Sequence, residues 1–275
     1  MQLKLAHSPD SDDAFMFYAL AKGKVPSGDI EFVHVLEDIE TLNRKALEEV
    51  YDITAISFHA YPYLSDKYGL LTCGASFGEG YGPLLVTKKR LGLEDLKGRR
   101  VAIPGAMTTA FLVLKLAQPG LDTVVVPFDR ILEKVENGEV DAGLIIHEGQ
   151  LTYKKQGFHK LLDLGEWWQQ QTGLPLPLGG NAIRRALGPE RIREVAGLLR
   201  ASIEYGLGHR EEALAYALRF GRGLETQQAD RFVEMYVNHW TLDYGEKGRQ
   251  AVQRLLDWGA EEGILPTRVK VDFFS

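Results

Sequence analysis

The chain has 275 residues, of which 45% are hydrophobic and 25% charged, enough for one large or two modest domains of an ordinary globular protein. Its formal net charge of −6 argues against a nucleic-acid partner, because proteins that bind nucleic acids present a basic surface. The single cysteine, Cys73, excludes an intramolecular disulfide and a multi-thiolate metal site, and its apolar neighbours predict a buried thiol. No window is apolar enough to span a bilayer, and the N-terminus lacks the features of a signal peptide. We therefore expect a cytoplasmic protein without a membrane partner.

The first part of the chain alternates predicted strands and helices. Apolar runs and period-two alternation predict strands over 3–7, 30–36, 53–56, 70–74 and 83–87, with a loop over 76–82. The segments between the first and second and between the second and third of these strands have helical spacing. Asp10 or Ser11 can cap the first helix, which places Asp12 and Asp13 in its first turn, where acidic side chains are favourable; Asp38 can cap the second. Such alternation is typical of a mainly parallel sheet.

A second α/β series follows. It comprises predicted strands over 101–103, 123–127, 142–146 and 158–163, and predicted helices over 108–116 and 129–136. Beyond about Asn181 helical spacing dominates. Glycines separate these later helices, at Gly206, Gly208, Gly221, Gly223 and Gly245. We predict two α/β lobes, a discontinuous one over 1–87 and 180–275 and an inserted one over 88–179, with a hinged cleft between them.

Ligands of open α/β sheets bind beyond the carboxyl ends of the strands, and polar residues follow several of these ends. Ser57 follows the strand over 53–56. If a helix begins there, its hydroxyl and free N–H groups favour a carboxylate or phosphate, although an ordinary helix cap explains the same residue. Thr108 and Thr109 follow the turn at Pro104-Gly105 and open the next helix. Two successive threonines after this turn favour ligand binding, but the spacing and lysine of a P-loop are missing.

His147 follows the apolar strand over 142–146 and precedes Glu148-Gly149. An imidazole at a rigid strand end can take or give a proton near neutral pH, so His147 is a candidate catalytic base, while a structural role stays open. No histidine or cysteine pair has metal-ligand spacing, so we expect no metal. The cluster Asp10, Asp12 and Asp13 lacks the spacing of a calcium loop and is interpreted as charge at a helix start.

Several segments resemble the 1,4-dihydroxy-6-naphthoate synthase family of the futalosine route to menaquinone. The longest begins His7-Ser8-Pro9-Asp10, and the others lie over 51–61, 76–83, 103–111, 141–150 and 174–181. The resemblance covers most of the chain. It implies a type II periplasmic-binding-protein-like α/β fold, with two lobes, each a central mixed sheet flanked by helices, and a cleft between them.

The resemblance also implies an activity and its residues. The expected reaction is that of a lyase, conversion of cyclic dehypoxanthinylfutalosine to 1,4-dihydroxy-6-naphthoate plus dihydroxyacetone, with no cofactor. His147 matches the family's base. The positions that match substrate contacts are Ala55, Ile56, Ser57, Thr109 and Ala110. The partner is then a small carboxylated substrate. Two alternatives remain: chorismate dehydratase of the same pathway, and a non-catalytic solute-binding protein for a small carboxylate.

Overall fold

The computed structural model describes residues 1–220 and 225–275 as an α/β fold with two mixed sheets. The strands are β1 (Gln2–His7), β2 (Glu31–Leu36), β3 (Ile53–Ser57), β4 (Tyr68–Leu71), β5 (Ser76–Gly78), β6 (Leu84–Thr87), β7 (Arg100–Ile103), β8 (Asp122–Val125), β9 (Ala142–Ile145), β10 (His159–Asp163), β11 (Leu176–Arg184) and β12 (Phe273–Phe274). The helices are α1 (Ser11–Ala21), α2 (Ile39–Leu47), α3 (Thr109–Ala117), α4 (Ile131–Glu136), α5 (Gly149–Thr152), α6 (Leu164–Thr172), α7 (Pro189–Gly208), α8 (Arg210–Ala217), α9 (Thr226–Tyr236), α10 (His239–Leu242) and α11 (Gly245–Glu261). Gly221 and Gly223, which we predicted to separate helices, lie outside the described residues.

The first sheet has the strand order β12-β4-β11-β3-β1-β2, and β5 also pairs with β11. Strand β1 is parallel to β2 and β3, as the alternating pattern predicts. The long strand β11 is antiparallel to β3, β4 and β5, so the expectation of a mainly parallel sheet is wrong at this position. The predicted loop over 76–82 is also wrong in part, because its first three residues form β5.

The second sheet has the order β10-β6-β9-β7-β8. Strand β7 is parallel to β8 and β9, whereas β6 is antiparallel to β9 and β10. We retain the two-lobe division of the chain as a proposal. Strand β6 pairs in this second sheet, although the predicted boundary assigns residues up to 87 to the first lobe.

Helices α1 and α2 begin beside strand ends of the first sheet. Asp38 caps α2 as predicted, because its side chain accepts from the Thr41 backbone N–H over 3.1 Å. Asp10 occupies the N-cap position of α1, but its side chain makes no capping bond; its Oδ2 accepts instead from the Ser8 hydroxyl over 2.8 Å. Asp10 is therefore the N-cap residue, as predicted, but the expected capping hydrogen bond of its side chain is missing.

The largest apolar core joins elements from both sheets. It includes Leu70 of β4, Leu112 of α3, Trp168 of α6 and Leu255 of α11, all with no side-chain exposure. Cys73 is buried in a second core, as predicted, and burial raises the pKa of its thiol to about 12. Among the described residues, no helix has both the length and the apolar character needed to cross a bilayer.

Candidate active site

A cleft opens between the carboxyl ends of strands from both sheets, a concave position of the kind that small-molecule sites occupy. It lies beyond β1, β3, β7 and β9, where the strand-end rule places ligands. The lining residues are Ser8, Asp10, Asp12, Asp13, Ile39, Ala55, Ile56, Ser57, Gly74, Ser76, Pro83, Thr108, Thr109, Ala110, Ile146, Gln150, Leu178, Gly179, Gly180, Phe232 and Tyr236. The five predicted substrate-contacting residues are all among them.

The buried amide of Asn43 on α2 fixes the hydroxyl of Ser57. Asn43 Nδ2 donates to Ser57 Oγ over 3.1 Å, and Asn43 Oδ1 accepts from the Ser57 backbone N–H over 2.8 Å. Because Ser57 Oγ already accepts a hydrogen bond, its own hydrogen can be donated to a ligand in the cleft. The helix that follows Ser57 is a 3-10 helix, Phe58–Tyr63, and not an α-helix.

Thr109 is fixed in a similar way from the opposite side of the cleft. Its Oγ1 accepts from the backbone N–H of His59 over 3.3 Å, which leaves its hydrogen for a ligand. Thr108 is the N-cap of α3 and accepts from the Phe111 N–H over 3.3 Å. The N–H groups of Thr109 and Ala110 belong to the first helical turn, which has no acceptors within the helix. Both predicted threonines therefore line the cleft, but the Thr108 hydroxyl caps the helix, whereas the Thr109 hydroxyl keeps a hydrogen for a ligand.

Side chains of α2 and the neighbouring 3-10 helix tie the two sides of the cleft together. Glu40 Oε2 accepts from the Met107 N–H over 2.9 Å, and Asn43 Nδ2 donates to the Met107 carbonyl over 3.3 Å. His59 Nδ1 lies 3.0 Å from the Thr108 carbonyl, so this nitrogen carries the hydrogen. Burial lowers the pKa of His59 to about 4, and the ring is neutral at neutral pH. These bonds hold the start of α3 against the end of β3.

An acidic lip, defined as Asp10, Asp12 and Asp13, lines the cleft at the start of α1. Burial and the neighbouring carboxylates raise the pKa of Asp12 well above its usual range. Burial also raises the pKa of Asp13 to about 7, even though its Oδ2 accepts from the Ser8 N–H over 2.7 Å. These residues do begin a helix, as predicted, but their position in the cleft was missed. Among the described residues, no group of three or more His, Cys, Asp or Glu side chains has the geometry of a metal site.

His147 follows β9, and its flanking residues Ile146 and Gln150 line the cleft. Its imidazole is 13% exposed and is not among the described residues that form the cleft wall. Nδ1 accepts from the Gly149 N–H over 3.0 Å, and the ring packs edge-on against Phe128 at a centroid distance of 5.8 Å. Since an amide N–H can only donate, the neutral ring carries its hydrogen on Nε2 in this conformation.

His7, the other histidine at a strand end, is buried beside Phe17 and His34. Burial, followed by the nearby His34, lowers the pKa of His7 to about 3. The ring is therefore neutral and packed inside the protein, and it does not belong to the described lining of the cleft. This placement separates His7 from the candidate chemistry.

The fold and the cleft define a protein of the periplasmic-binding-protein-like class. The alkanesulfonate-binding protein SsuA from Xanthomonas axonopodis has a similar structure, with a TM-score of 0.73 at 16% identity, over 98% of this chain and 96% of that one. At this identity the similarity shows the fold alone. A crystal structure of protein AF1704 from Archaeoglobus fulgidus is more similar, with a TM-score of 0.92 at 48% identity over 96% of this chain and 98% of that one.

Sequence comparison gives the particular family. A family model described as menaquinone biosynthesis matches residues 3–261. A 1,4-dihydroxy-6-naphthoate synthase from Thermus thermophilus is 45% identical over 95% of each chain, and one from Streptomyces coelicolor is 39% identical over 96% of this chain and 95% of its own. This chain therefore belongs to the 1,4-dihydroxy-6-naphthoate synthase family, whose members are enzymes of menaquinone biosynthesis.

Proposed function

We propose that this enzyme cleaves cyclic dehypoxanthinylfutalosine to 1,4-dihydroxy-6-naphthoate and dihydroxyacetone, with His147 as general base and no cofactor. One observation carries the proposal: hydroxyl and amide donors from both sides of the cleft converge where β3 and β7 end. This arrangement suits the aromatic carboxylate that substrate and product share. The names of the two curated relatives support the same product.

The carboxylate site consists of three kinds of donor. Ser57 and Thr109 each accept a hydrogen bond from the protein and keep a hydrogen for the ligand. The backbone N–H groups at the start of α3, including that of Ala110, add the positive end of a helix dipole. Hydrogen bonds to a charged group contribute about 1.5–3 kcal/mol each, so two or three of them can fix the orientation of the substrate.

The remaining walls suit the rest of such a substrate. Ile146, Leu178, Phe232 and Pro83 present apolar surface to the cleft, which matches a flat bicyclic ring. The carboxyl groups of the acidic lip are suited to sugar-derived hydroxyl groups, because carboxylates accept and protonated carboxyls donate hydrogen bonds. The cleft thus offers separate surroundings for the charged, aromatic and hydroxylated parts.

His147 is proposed to start the cleavage. In a retro-aldol-like step a base removes the proton of a hydroxyl, the carbon–carbon bond breaks, and its electron pair moves to the departing enolate. The imidazolium can then return the proton to that enolate. General-base catalysis of this kind contributes about 10²–10⁴-fold. In the present conformation the lone pair of the ring lies at Nδ1 against the Gly149 N–H, so base catalysis through Nε2 requires the other tautomer.

The direct test is an assay of the purified protein with cyclic dehypoxanthinylfutalosine and, separately, with chorismate, both analysed by mass spectrometry. We expect 1,4-dihydroxy-6-naphthoate and dihydroxyacetone from the first and no dehydration of the second. His147→Asn should lose about 10²–10⁴-fold in kcat, whereas His209→Asn, which changes an exposed histidine stacked on Tyr205, should keep the wild-type rate. Turnover of chorismate alone would replace the proposal with the dehydratase, and full activity of His147→Asn would refute the assigned base.

A further inference from the structure

Glu148 places a buried carboxylate next to His147. Its side chain is only 4% exposed, and Oε2 lies 3.9 Å from His147 Nδ1. The other oxygen, Oε1, accepts from the hydroxyl of Ser11 on α1 over 3.4 Å. The Glu148 carboxylate therefore accepts a hydrogen bond from α1 with one oxygen, while its other oxygen faces the imidazole of His147 at the end of β9.

The tautomer of His147 indicates a role for the Glu148 carboxylate. With Nδ1 accepting from Gly149, the neutral ring has no lone pair at Nε2 to receive a proton. If the ring instead donates Nδ1–H to an acceptor, the lone pair moves to Nε2. Glu148 Oε2 needs to approach by about 1 Å to reach the usual length of such a charge-assisted hydrogen bond.

We propose that Glu148 is the positioning residue of His147: in the ligand-bound enzyme it accepts the Nδ1 hydrogen of His147 and so keeps the Nε2 lone pair available to the substrate. Glu148 also stabilises the imidazolium that forms after proton transfer, as the carboxylate does in hydrolase triads. This inference rests on the proposed function of His147 as the base.

Contacts across the cleft fix the segment that carries both residues. The Gln150 N–H donates to the His147 carbonyl over 2.9 Å, which closes a tight turn around Glu148. The Gln150 side chain then accepts from the Tyr236 hydroxyl of α9 over 2.8 Å. The turn is thus held on one side by the hydrogen bond between Ser11 and Glu148 and on the other by that between Tyr236 and Gln150. The position of Glu148 therefore depends on how closely α1 and α9 approach the turn.

The charged groups that face Glu148 are compatible with this role. On the α1 side the carboxyl group of Asp12 interacts electrostatically with Glu148, and on its own segment the imidazole of His147 lies beside it. The pKa of Asp12 is raised well above its usual range by burial and by nearby carboxylates, including that of Glu148. Glu148 therefore acts on Asp12 as a like charge, and the neighbouring His147 supplies an opposite charge once it has taken up a proton.

The test compares Glu148→Gln, Glu148→Asp and the exposed control Glu204→Gln in steady-state kinetics. Glu148→Gln should fold, because it removes a charge from an acidic cluster, and its kcat should fall at least about 100-fold with KM changed less than about threefold. Glu148→Asp keeps the charge and should recover part of the rate, while Glu204→Gln should resemble the wild type. A normal kcat, or a loss in KM alone, for Glu148→Gln would overturn the proposal.

Nitrogen NMR of ¹⁵N-histidine-labelled protein gives a second readout, with the His147 signal assigned by its absence in His147→Asn. On addition of 1,4-dihydroxy-6-naphthoate, the hydrogen should move from Nε2 to Nδ1 in the wild type and stay on Nε2 in Glu148→Gln. An unchanged tautomer in the wild type would contradict the positioning role. If Glu148→Gln keeps its rate while His147→Asn loses it, only this inference fails; if His147→Asn keeps its rate, the base assignment itself fails.

Discussion

Replacement of Ser57 by alanine tests the carboxylate site with little change to the fold. The substitution removes one hydroxyl that is 4% exposed at the residue level and lies at the end of β3. Asn43 Nδ2 loses this acceptor but keeps the Met107 carbonyl at 3.3 Å, and Asn43 Oδ1 keeps the Ser57 backbone N–H. One of the two Nδ2 hydrogens of Asn43 therefore loses its acceptor, while the other keeps the Met107 carbonyl.

The expected magnitudes separate binding from stability. A hydrogen bond to a charged carboxylate is worth about 1.5–3 kcal/mol, which corresponds to about a 10- to 150-fold weaker Kd for the product, since about 1.4 kcal/mol is a factor of ten. The buried Asn43 N–H that loses its acceptor costs about 1–3 kcal/mol of unfolding free energy. The turnover number should change less than KM, because the carboxylate is remote from the reacting bond.

Isothermal titration with 1,4-dihydroxy-6-naphthoate and steady-state kinetics measure these effects, with urea unfolding as the stability readout. Ser202→Ala is the matched control. Its buried hydroxyl donates to the Met16 carbonyl over 2.8 Å and accepts from the Leu20 N–H over 3.3 Å, both on α1. This control should lose stability and keep its Kd. Equal Kd values for Ser57→Ala and the wild type would refute the assignment of the carboxylate site.

Three further predictions concern the turn and the acidic lip. A Cβ at Gly149 would lie 2.7 Å from Cε1 of His147, so Gly149→Ala should displace the ring and lower kcat. The control Gly197→Ala, where nothing lies within 4 Å of the added Cβ, should keep kcat and gain about 0.5–1 kcal/mol of stability. Equal kcat values for the two variants would contradict this prediction. Tyr236→Phe removes the bond to Gln150 and should lower kcat with little change in melting temperature; an unaltered rate would show that the bond is dispensable. Burial raises the pKa of Asp13 from 3.8 to about 7, so the stability that the protonated carboxyl contributes is present below about pH 4 and lost as the pH rises to about 7. In urea unfolding from pH 4 to 8, the unfolding free energy of the wild type minus that of Asp13→Asn should therefore fall as the pH rises. Parallel curves of unfolding free energy against pH would contradict the shift.

The sequence predicts the elements well where the signal is local. The alternation of strands and helices, the cap at Asp38 and the burial of Cys73 all depend on neighbours within a few residues, and the structure confirms them. The position of β11 between β3 and β4 does not depend on such near neighbours, because these strand pairs join residues more than 100 positions apart. Periodicity carries no information on such partners, and the expectation of a mainly parallel sheet fails there.

The candidate site divides in the same way. Ser57 ends β3 and Thr109 follows the end of β7, and the rule that ligands bind beyond strand ends predicts both in the cleft. Ala110 was expected there only from the family resemblance. Asn43 escaped prediction because it lies on the buried face of α2 beside Leu42 and Ala46, where the pattern indicates only core. Its signal was a polar residue at an apolar position of the helix. The tautomer of His147 depends on one backbone N–H, and no sequence pattern specifies that contact.

The most direct test of the whole account is a crystal structure of His147→Asn with cyclic dehypoxanthinylfutalosine bound. We predict that the substrate carboxylate lies within about 3 Å of Ser57 Oγ and of the N–H groups at the start of α3, with the bond to be cleaved next to the side chain at position 147. A carboxylate bound elsewhere in the cleft, or a position 147 out of reach of the substrate, would contradict the proposed chemistry.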